Sequence, residues 1–415
     1  MLRLLTLITC TALALGSTFA AQADDNRASF VIIGDTGYIP SYEAYEADEP
    51  PARKLGAYLA RQADEWLERN PDLTDFTPTP WVFESAQGGY VEASGMYPVA
   101  FATEETCRVH GCNFAIMAGD NIYPDGATLG ADGISDIRRF TDMLDRPYGR
   151  LGADVRNFTI YALLGNHDWH LSRPAAVAQM RYLQKHPNFT MPGFFYRATP
   201  AGMDGFVELF VIDTEMLLAS TTVYQDKLDA DGREIRTDAV ETWPDFVKPA
   251  NKSERQMVSW LSEALATSSA HWKLVIGHHA LWSGGGSKFE KAHALRALLM
   301  DSLCHYADAY ISGDDHMLEV YQDDCGADEA SAGAPLTLLV SGAGSKYRPL
   351  HPRFMAHQMV NNPGLSNPFS KGATWGLIHV SLEADSLTAR VISTPADMSG
   401  RPVNEATLRF MHRSD

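Results

Sequence analysis

The amino-acid sequence predicts an α/β protein whose sheets are covered on both faces. Two observations carry that reading. Seven short apolar runs, "SFVIIGD", "NFAIMAGD", "FTIYALLGNHD", "VELFVIDT", "WKLVIGHH", "ADAYISGDDH" and "LTLLVSGAG", each close on polar or glycine residues, and helix-like segments lie between several of them. Continuous apolar runs of this length read as strands buried on both faces, and strands alternating with helices build α/β layers. The segment "SERQMVSWLSEAL" opens with Ser253 and Gln256 at capping-box spacing. It then sets Met257, Trp260, Leu261 and Leu265 on one helical face. A second helix is expected at Lys54–Arg69, and the tail alternates as a β-hairpin over about residues 375–394.

Residues 38–106 interrupt this rhythm with Pro, Glu and aromatic residues. They are expected to leave the first strand exit as an insertion able to cover whatever lies there, with "TDFTPTPWVFESAQGGY" as irregular loop. Residues 221–250 form another polar connection. The first 23 residues carry one basic residue, a short apolar stretch and Ala21-Gln22-Ala23, the pattern of an export signal cut after Ala23. Residues 24–415 then form a single domain in the periplasm or the medium. No later segment is long and apolar enough to span a bilayer, so no membrane anchor is expected. The formal net charge of −18 argues against a nucleic-acid polymer as partner, since such binding needs a basic footprint. Nothing in the sequence points to an obligate protein partner. Cys107, Cys112, Cys304 and Cys325 allow three disulfide pairings; Cys107–Cys112 and Cys304–Cys325, nearest in sequence, are favoured.

The strand exits hold the chemistry. In order they carry Asp35, Asp120 with Tyr123, Asn166 with His167, His278, and Asp314 with His316. One Gly-Asp pair is an ordinary turn. Five strands placing an oxygen or nitrogen ligand at one end are not, because ligands gather beyond the carboxyl ends of strands in open α/β sheets. Mixed carboxylate, amide, phenol and imidazole donors suit Fe, Mn or Zn. Two such ions close together can turn a water into a nucleophile for in-line phosphoryl displacement.

The order and spacing of "GDTG", "GDNIY", "GNHD", "GHH" and "GDDH" resemble the calcineurin-like metallophosphoesterases, and more closely their purple (tartrate-resistant) acid phosphatase branch, from about Ser29 to about residue 345. The resemblance implies a four-layer α/β/β/α sandwich with two metals at the strand ends. It implies that Asp35, Asp120, Tyr123 and His316 hold a first metal, Fe(III), coloured purple or pink by the Tyr123 phenolate. Asp120 would bridge to a second metal, Fe, Mn, Zn or Mg, completed by Asn166, His278 and Asp314. His167 would protonate the leaving alkoxide or orient the phosphate.

The chain departs from the family pattern twice. Gly-Asp-Asp-His stands where the family has Gly-His-x-His, so Asp314 replaces an imidazole; this predicts a second site leaning to Mn, Mg or Fe over Zn, and weaker attraction for a phosphate dianion. The family's further active-site His falls on Ser287, with His293 offered as a substitute. Period-two geometry predicts that Asp314 and His316 face one way and Asp315 the other. The sequence is thus expected to encode an exported binuclear phosphomonoesterase acting on a small phosphate ester. The alternatives are a phosphodiesterase or nucleotide hydrolase on the same scaffold, and a metal-binding protein weakened in catalysis.

Overall fold

The computed structural model describes residues 26–43, 50–326 and 334–413. The leader expected at residues 1–23 lies outside them. The seven apolar runs become the strands Ala28–Ile33, Phe114–Met117, Ile160–Ala162, Val207–Val211, Trp272–Ile276, Ala309–Ser312 and Leu336–Ser341. Their side chains are almost all buried, as strands covered on both faces require.

These strands fall into two mixed seven-stranded sheets. Across the first, the order is Val403–Met411, Ser386–Thr394, Trp375–Leu382, Ala28–Ile33, Phe114–Met117, Ile160–Ala162, Phe189–Thr190. Its last four strands run parallel and its first three antiparallel. Across the second, the order is Leu365–Lys371, Leu318–Asp323, Leu336–Ser341, Ala309–Ser312, Trp272–Ile276, Val207–Val211, Tyr196–Ala198. Four neighbouring strands are again parallel, here flanked by antiparallel ones.

The sheets share one apolar core. They are tied at their ends where Gly34 N donates to Ser341 O (2.8 Å) and Ser341 Oγ donates to Ile32 O (2.7 Å). Helix Met96–His110 covers the first sheet from outside, against Trp375–Leu382 and Ser386–Thr394. Helix Met257–Thr267 covers Val207–Val211 of the second and packs on helix Phe289–Tyr306. The result is the expected α/β/β/α sandwich. Both favoured disulfides form, Cys107–Cys112 and Cys304–Cys325. Among the described residues no helix is long and apolar enough to cross a membrane.

Local readings differ in two places. The helix at 253 begins earlier: Asn251, in extended backbone, accepts from Glu254 N at 3.0 Å and opens a short helix Lys252–Arg255, so Ser253 is not the cap. The stretch expected as irregular contains a hairpin, Trp81–Glu84 against Gly89–Glu92, with Phe83 opposite Tyr90 and their rings 5.2 Å apart. Leu365–Lys371 is a strand despite Pro368, which an edge position tolerates.

Within residues 38–106, the helix Leu55–Arg69 and the 81–92 hairpin dock onto the segment beyond Leu336–Ser341. Arg69 donates to Pro349 O (3.1 Å), and Glu92 accepts from Tyr347 N (2.9 Å) and Arg348 (3.0 Å). That segment borders the strand exits.

Candidate metal centre

All the singled-out residues emerge at the carboxyl ends of the parallel strands. Ala28–Ile33 delivers Asp35, Phe114–Met117 delivers Asp120 and Tyr123, and Ile160–Ala162 delivers Asn166 and His167. From the second sheet, Trp272–Ile276 delivers His278, and Ala309–Ser312 delivers Asp314 and His316. Asp35, Asp120 and Asp314 all sit in left-handed backbone (φ 58°, 49° and 63°), a region that costs a non-glycine residue energy and recurs where function needs a side chain re-aimed. The glycine before Asp314 has a packing reason rather than a turn reason. A Cβ on Gly313 would lie 2.5 Å from Asp35 Oδ2.

Tyr123 is the hub of one half of the cradle. Its hydroxyl donates to Asp35 Oδ1 and lies within donating distance of Asp120 Oδ2, each at 2.9 Å, and sits 3.2 Å from His316 Nε2. His316 Nε2 is 3.4 Å from Asp35 Oδ1, and Asp35 Oδ2 accepts from Asp314 N at 2.9 Å. In the other half, His278 Nδ1 is bonded to Ala118 O (2.8 Å), which leaves Nε2 facing inward, 3.4 Å from Asp120 Oδ1 and 3.8 Å from Asp314 Oδ1. Asp120 belongs to both halves and also accepts from His167 N at 2.9 Å. Asp35, Asp120 and His278 each present a ligand atom, all within 4.8 Å of one another.

Asn166 is packed close to this group: its neighbour Gly165 abuts Asp120 and the His278 ring. His167 turns its Nδ1 to Pro124 O (2.6 Å) and holds Nε2 4.0 Å from Asp120 Oδ2. Asp315 diverges from Asp314 and His316 as expected, although the chain bends there rather than staying extended; its carboxylate receives the hydroxyls of Ser283 and Ser287.

The electrostatics ask for a cation. Burial pushes the Asp35 carboxyl well above its ordinary range, with Asp120 and Asp314 adding to the effect. Burial, then the Asp120 and Asp35 charges, push the Tyr123 phenol well above its usual value. Burial opposes charge on Asp120 too, but His278 and His167 outweigh it and hold that carboxyl low. Asn166 Oδ1, His278 Nε2 and Asp314 Oδ2 are buried without a hydrogen-bond partner. Each such atom costs about 1–3 kcal/mol when left unmet; those of His278 and Asp314 lie in one half of the cradle, and the backbone next to Asn166 abuts it. A donor set of carboxylates, amide oxygen, phenol and imidazoles around orphaned lone pairs fits hard or borderline metal ions.

Three residues missed by the sequence reading shape the site. Asp168, the last residue of "GNHD", accepts from Asn121 N (3.1 Å), Ile122 N (3.2 Å), Gly165 N (2.9 Å) and Gln179 Nε2 (2.7 Å). It staples two strand exits together; burial and then Asp120 push it up to about 7. Its place beside Asn166 and His167 was the available signal. Lys346 lies over the Tyr38 ring (3.6 Å) and 5.0 Å from the Tyr123 ring, paired with Glu43 at 3.5 Å. Lys288 reaches within 3.6 Å of Asp314 Oδ1. Against the burial that opposes it, Lys288 keeps the Asp314 carboxyl far below its usual range. His293, offered as a substitute imidazole, is directed elsewhere. It pairs with Glu234 (3.3 Å) and Arg236 (3.0 Å) because its helix turns it toward the 227–235 hairpin.

Two stacked mixed sheets emptying onto one carboxylate, phenol and imidazole cradle define an α/β protein whose strand-exit donors could hold a metal ion. The sequence matches the calcineurin-like phosphoesterase family over residues 28–318, and the chain belongs to that family. It is 27% identical to tartrate-resistant acid phosphatase type 5 of Rattus norvegicus over 230 residues, 55% of this chain and 62% of that protein. It is also 27% identical to purple acid phosphatase 3 of Arabidopsis thaliana over 241 residues, 56% of this chain and 54% of that one. The matches therefore span less than two thirds of these relatives. The purple acid phosphatase PPD1 of yellow lupin seeds superposes with a TM-score of 0.50 at 13% identity, covering 92% of this chain and 53% of that one. GAP50, the anchor in the inner membrane complex of Plasmodium, superposes with a TM-score of 0.54 at 14% identity, covering 94% and 90%. These two likenesses concern the fold alone.

Proposed function

We propose that the chain is an exported, binuclear metal-dependent phosphoesterase of purple acid phosphatase type that acts on phosphate monoesters. In this reading Asp35, Asp120, Tyr123 and His316 hold an Fe(III) ion, and Asp120, Asn166, His278 and Asp314 hold a second ion, Fe, Mn, Zn or Mg. When bound, the pair supplies Lewis-acid activation of the phosphoryl group and of a water. The observation that carries the reading is the set of three orphaned, buried ligand atoms beside a carboxylate shared by both halves.

The chain's own residues orient the ester and move the proton. His167 is 29% exposed at the rim of the cradle and anchored through Nδ1, so its Nε2 can meet a leaving oxygen. Burial lowers its pKa to about 4, so the protonated form that could donate is a strong acid but is populated only near and below that pH. Export is supported by the two disulfides, which persist in oxidising compartments.

The second reading, a phosphodiesterase, draws on Asp314: a carboxylate in place of an imidazole disfavours a dianion more than a monoanionic diester. Hydrolysis of p-nitrophenyl phosphate and bis-p-nitrophenyl phosphate, assayed across pH with Fe and Mn supplied, separates the two. Turnover of the monoester alone supports the first, of the diester alone the second. Two bound ions with neither activity leave a metal-binding protein. Metal content per chain combined with the visible spectrum tests Tyr123 directly, since its phenolate on Fe(III) gives the absorption band.

A further inference from the structure

We propose that Lys288 is a substrate-binding residue of this centre, its ammonium gripping a non-bridging oxygen of the phosphoryl group beside Asp314. The inference deepens the phosphoesterase reading and rests on it. Its origin is the loop "SGGGSK", residues 283–288. This loop is folded down onto buried carboxylates: Ser283 donates to Asp315, Gly284 N donates to Glu319 Oε1 (3.0 Å), and Ser287 Oγ donates to Asp315 Oδ1 (3.5 Å). Ser287 is thereby turned to Asp315. The next residue, Lys288, stands at the start of helix Phe289–Tyr306 and reaches back to the cradle, its Nζ 3.6 Å from Asp314 Oδ1.

Three features make this ammonium a ligand group and not only a counter-charge. Asp314 is 2% exposed in its side chain whereas Lys288 is 34% exposed, so the lysine side chain spans the boundary between the buried cradle and solvent. At 3.6 Å it is an ion-pair partner without a hydrogen bond, and among the described residues Lys288 donates to no acceptor, so its three N–H groups remain for an incoming anion. The charge balance is the third feature. Asp314 adds one negative charge where the family pattern has a neutral imidazole, and Lys288 supplies one positive charge next to it. A phosphate dianion then meets a rim no more negative than in that pattern, which removes the weaker attraction expected from Asp314 alone.

The test uses the full chain, metal-loaded, as Lys288→Gln and Lys288→Arg. Orthophosphate binding is followed by calorimetry, p-nitrophenyl phosphate turnover as separate KM and kcat, and metal content per chain alongside. The expected result for Lys288→Gln is a ~10–100-fold weaker orthophosphate affinity and a matching rise in KM, with kcat changed far less and metal content unchanged, as for loss of one charged contact made in the ground state. Lys288→Arg restores part of the affinity. Unchanged orthophosphate affinity overturns the proposal, as does a gain of one metal ion in Lys288→Gln, which would mean that the ammonium stands in a cation's place. Orthophosphate binding needs no turnover, so a wild-type protein that hydrolyses no ester refutes the phosphoesterase reading while the anion site is still judged on affinity.

Discussion

The two halves of the cradle are built by different means. Around Asp35, Tyr123 and His316 the side chains answer one another: one phenol links two carboxylates and an imidazole, and Lys346 lies over its ring. Around His278, Asn166 and Asp314, three buried atoms have no partner, and a lysine outside the quoted motifs stands against the carboxylate. The first half keeps the residues that the resemblance read from the sequence implies. The second departs from the family pattern at Asp314 and Ser287 and offsets the change in charge through Lys288.

The comparison breaks most completely at the residue common to both halves. Asp120→Ala should empty both ion positions and lower kcat/KM by at least about 1000-fold, since a two-ion centre loses its shared clamp; metal analysis and turnover on one preparation check this. Asp168→Ala acts on both halves indirectly by freeing the N–H groups of Asn121, Ile122 and Gly165. A cost of about 2–4 kcal/mol in stability and a ~10–100-fold loss of metal affinity are expected, read by thermal unfolding and metal titration. Asp168→Asn, which keeps an acceptor, should recover part of both.

Asp314→His sharpens the contrast by making the second half resemble the family. The second ion should shift toward Zn over Mn by about tenfold in competition. Lys288, then facing an imidazole, should lose its partner. The smallest effect belongs to His293→Ala: turnover within about twofold of the parent, because the contacts of His293 with Glu234 and Arg236 lie apart from the cradle. A large loss there would restore His293 to the site.

The strands were legible because their signal is local. A run such as "FAIM" or "AYIS" needs only its own residues to demand burial, and the polar residue after it marks the exit. The hairpin at 81–92 was not legible. Its strands have four residues each, and Trp81, Val82 and Phe83 remain partly exposed, so no burial pattern announced them. Among site residues, those at strand exits could be read as a set. Asp168 and Lys288 could not be assigned, because what defines them is contact across the chain: Asp168 meets Asn121 47 positions away, and Lys288 meets Asp314 in another strand exit.

The amino-acid sequence alone determined the layered α/β plan and the inventory of oxygen and nitrogen donors, and favoured one of three disulfide pairings, because apolar runs, cysteine spacing and glycine-flanked exits are properties of short segments. Only the tertiary structure decided which donors share an atom's space, that Ser287 turns to Asp315, and that Lys288 balances Asp314. Charge acts through distance, and distance between strand exits is set when two sheets close on one core.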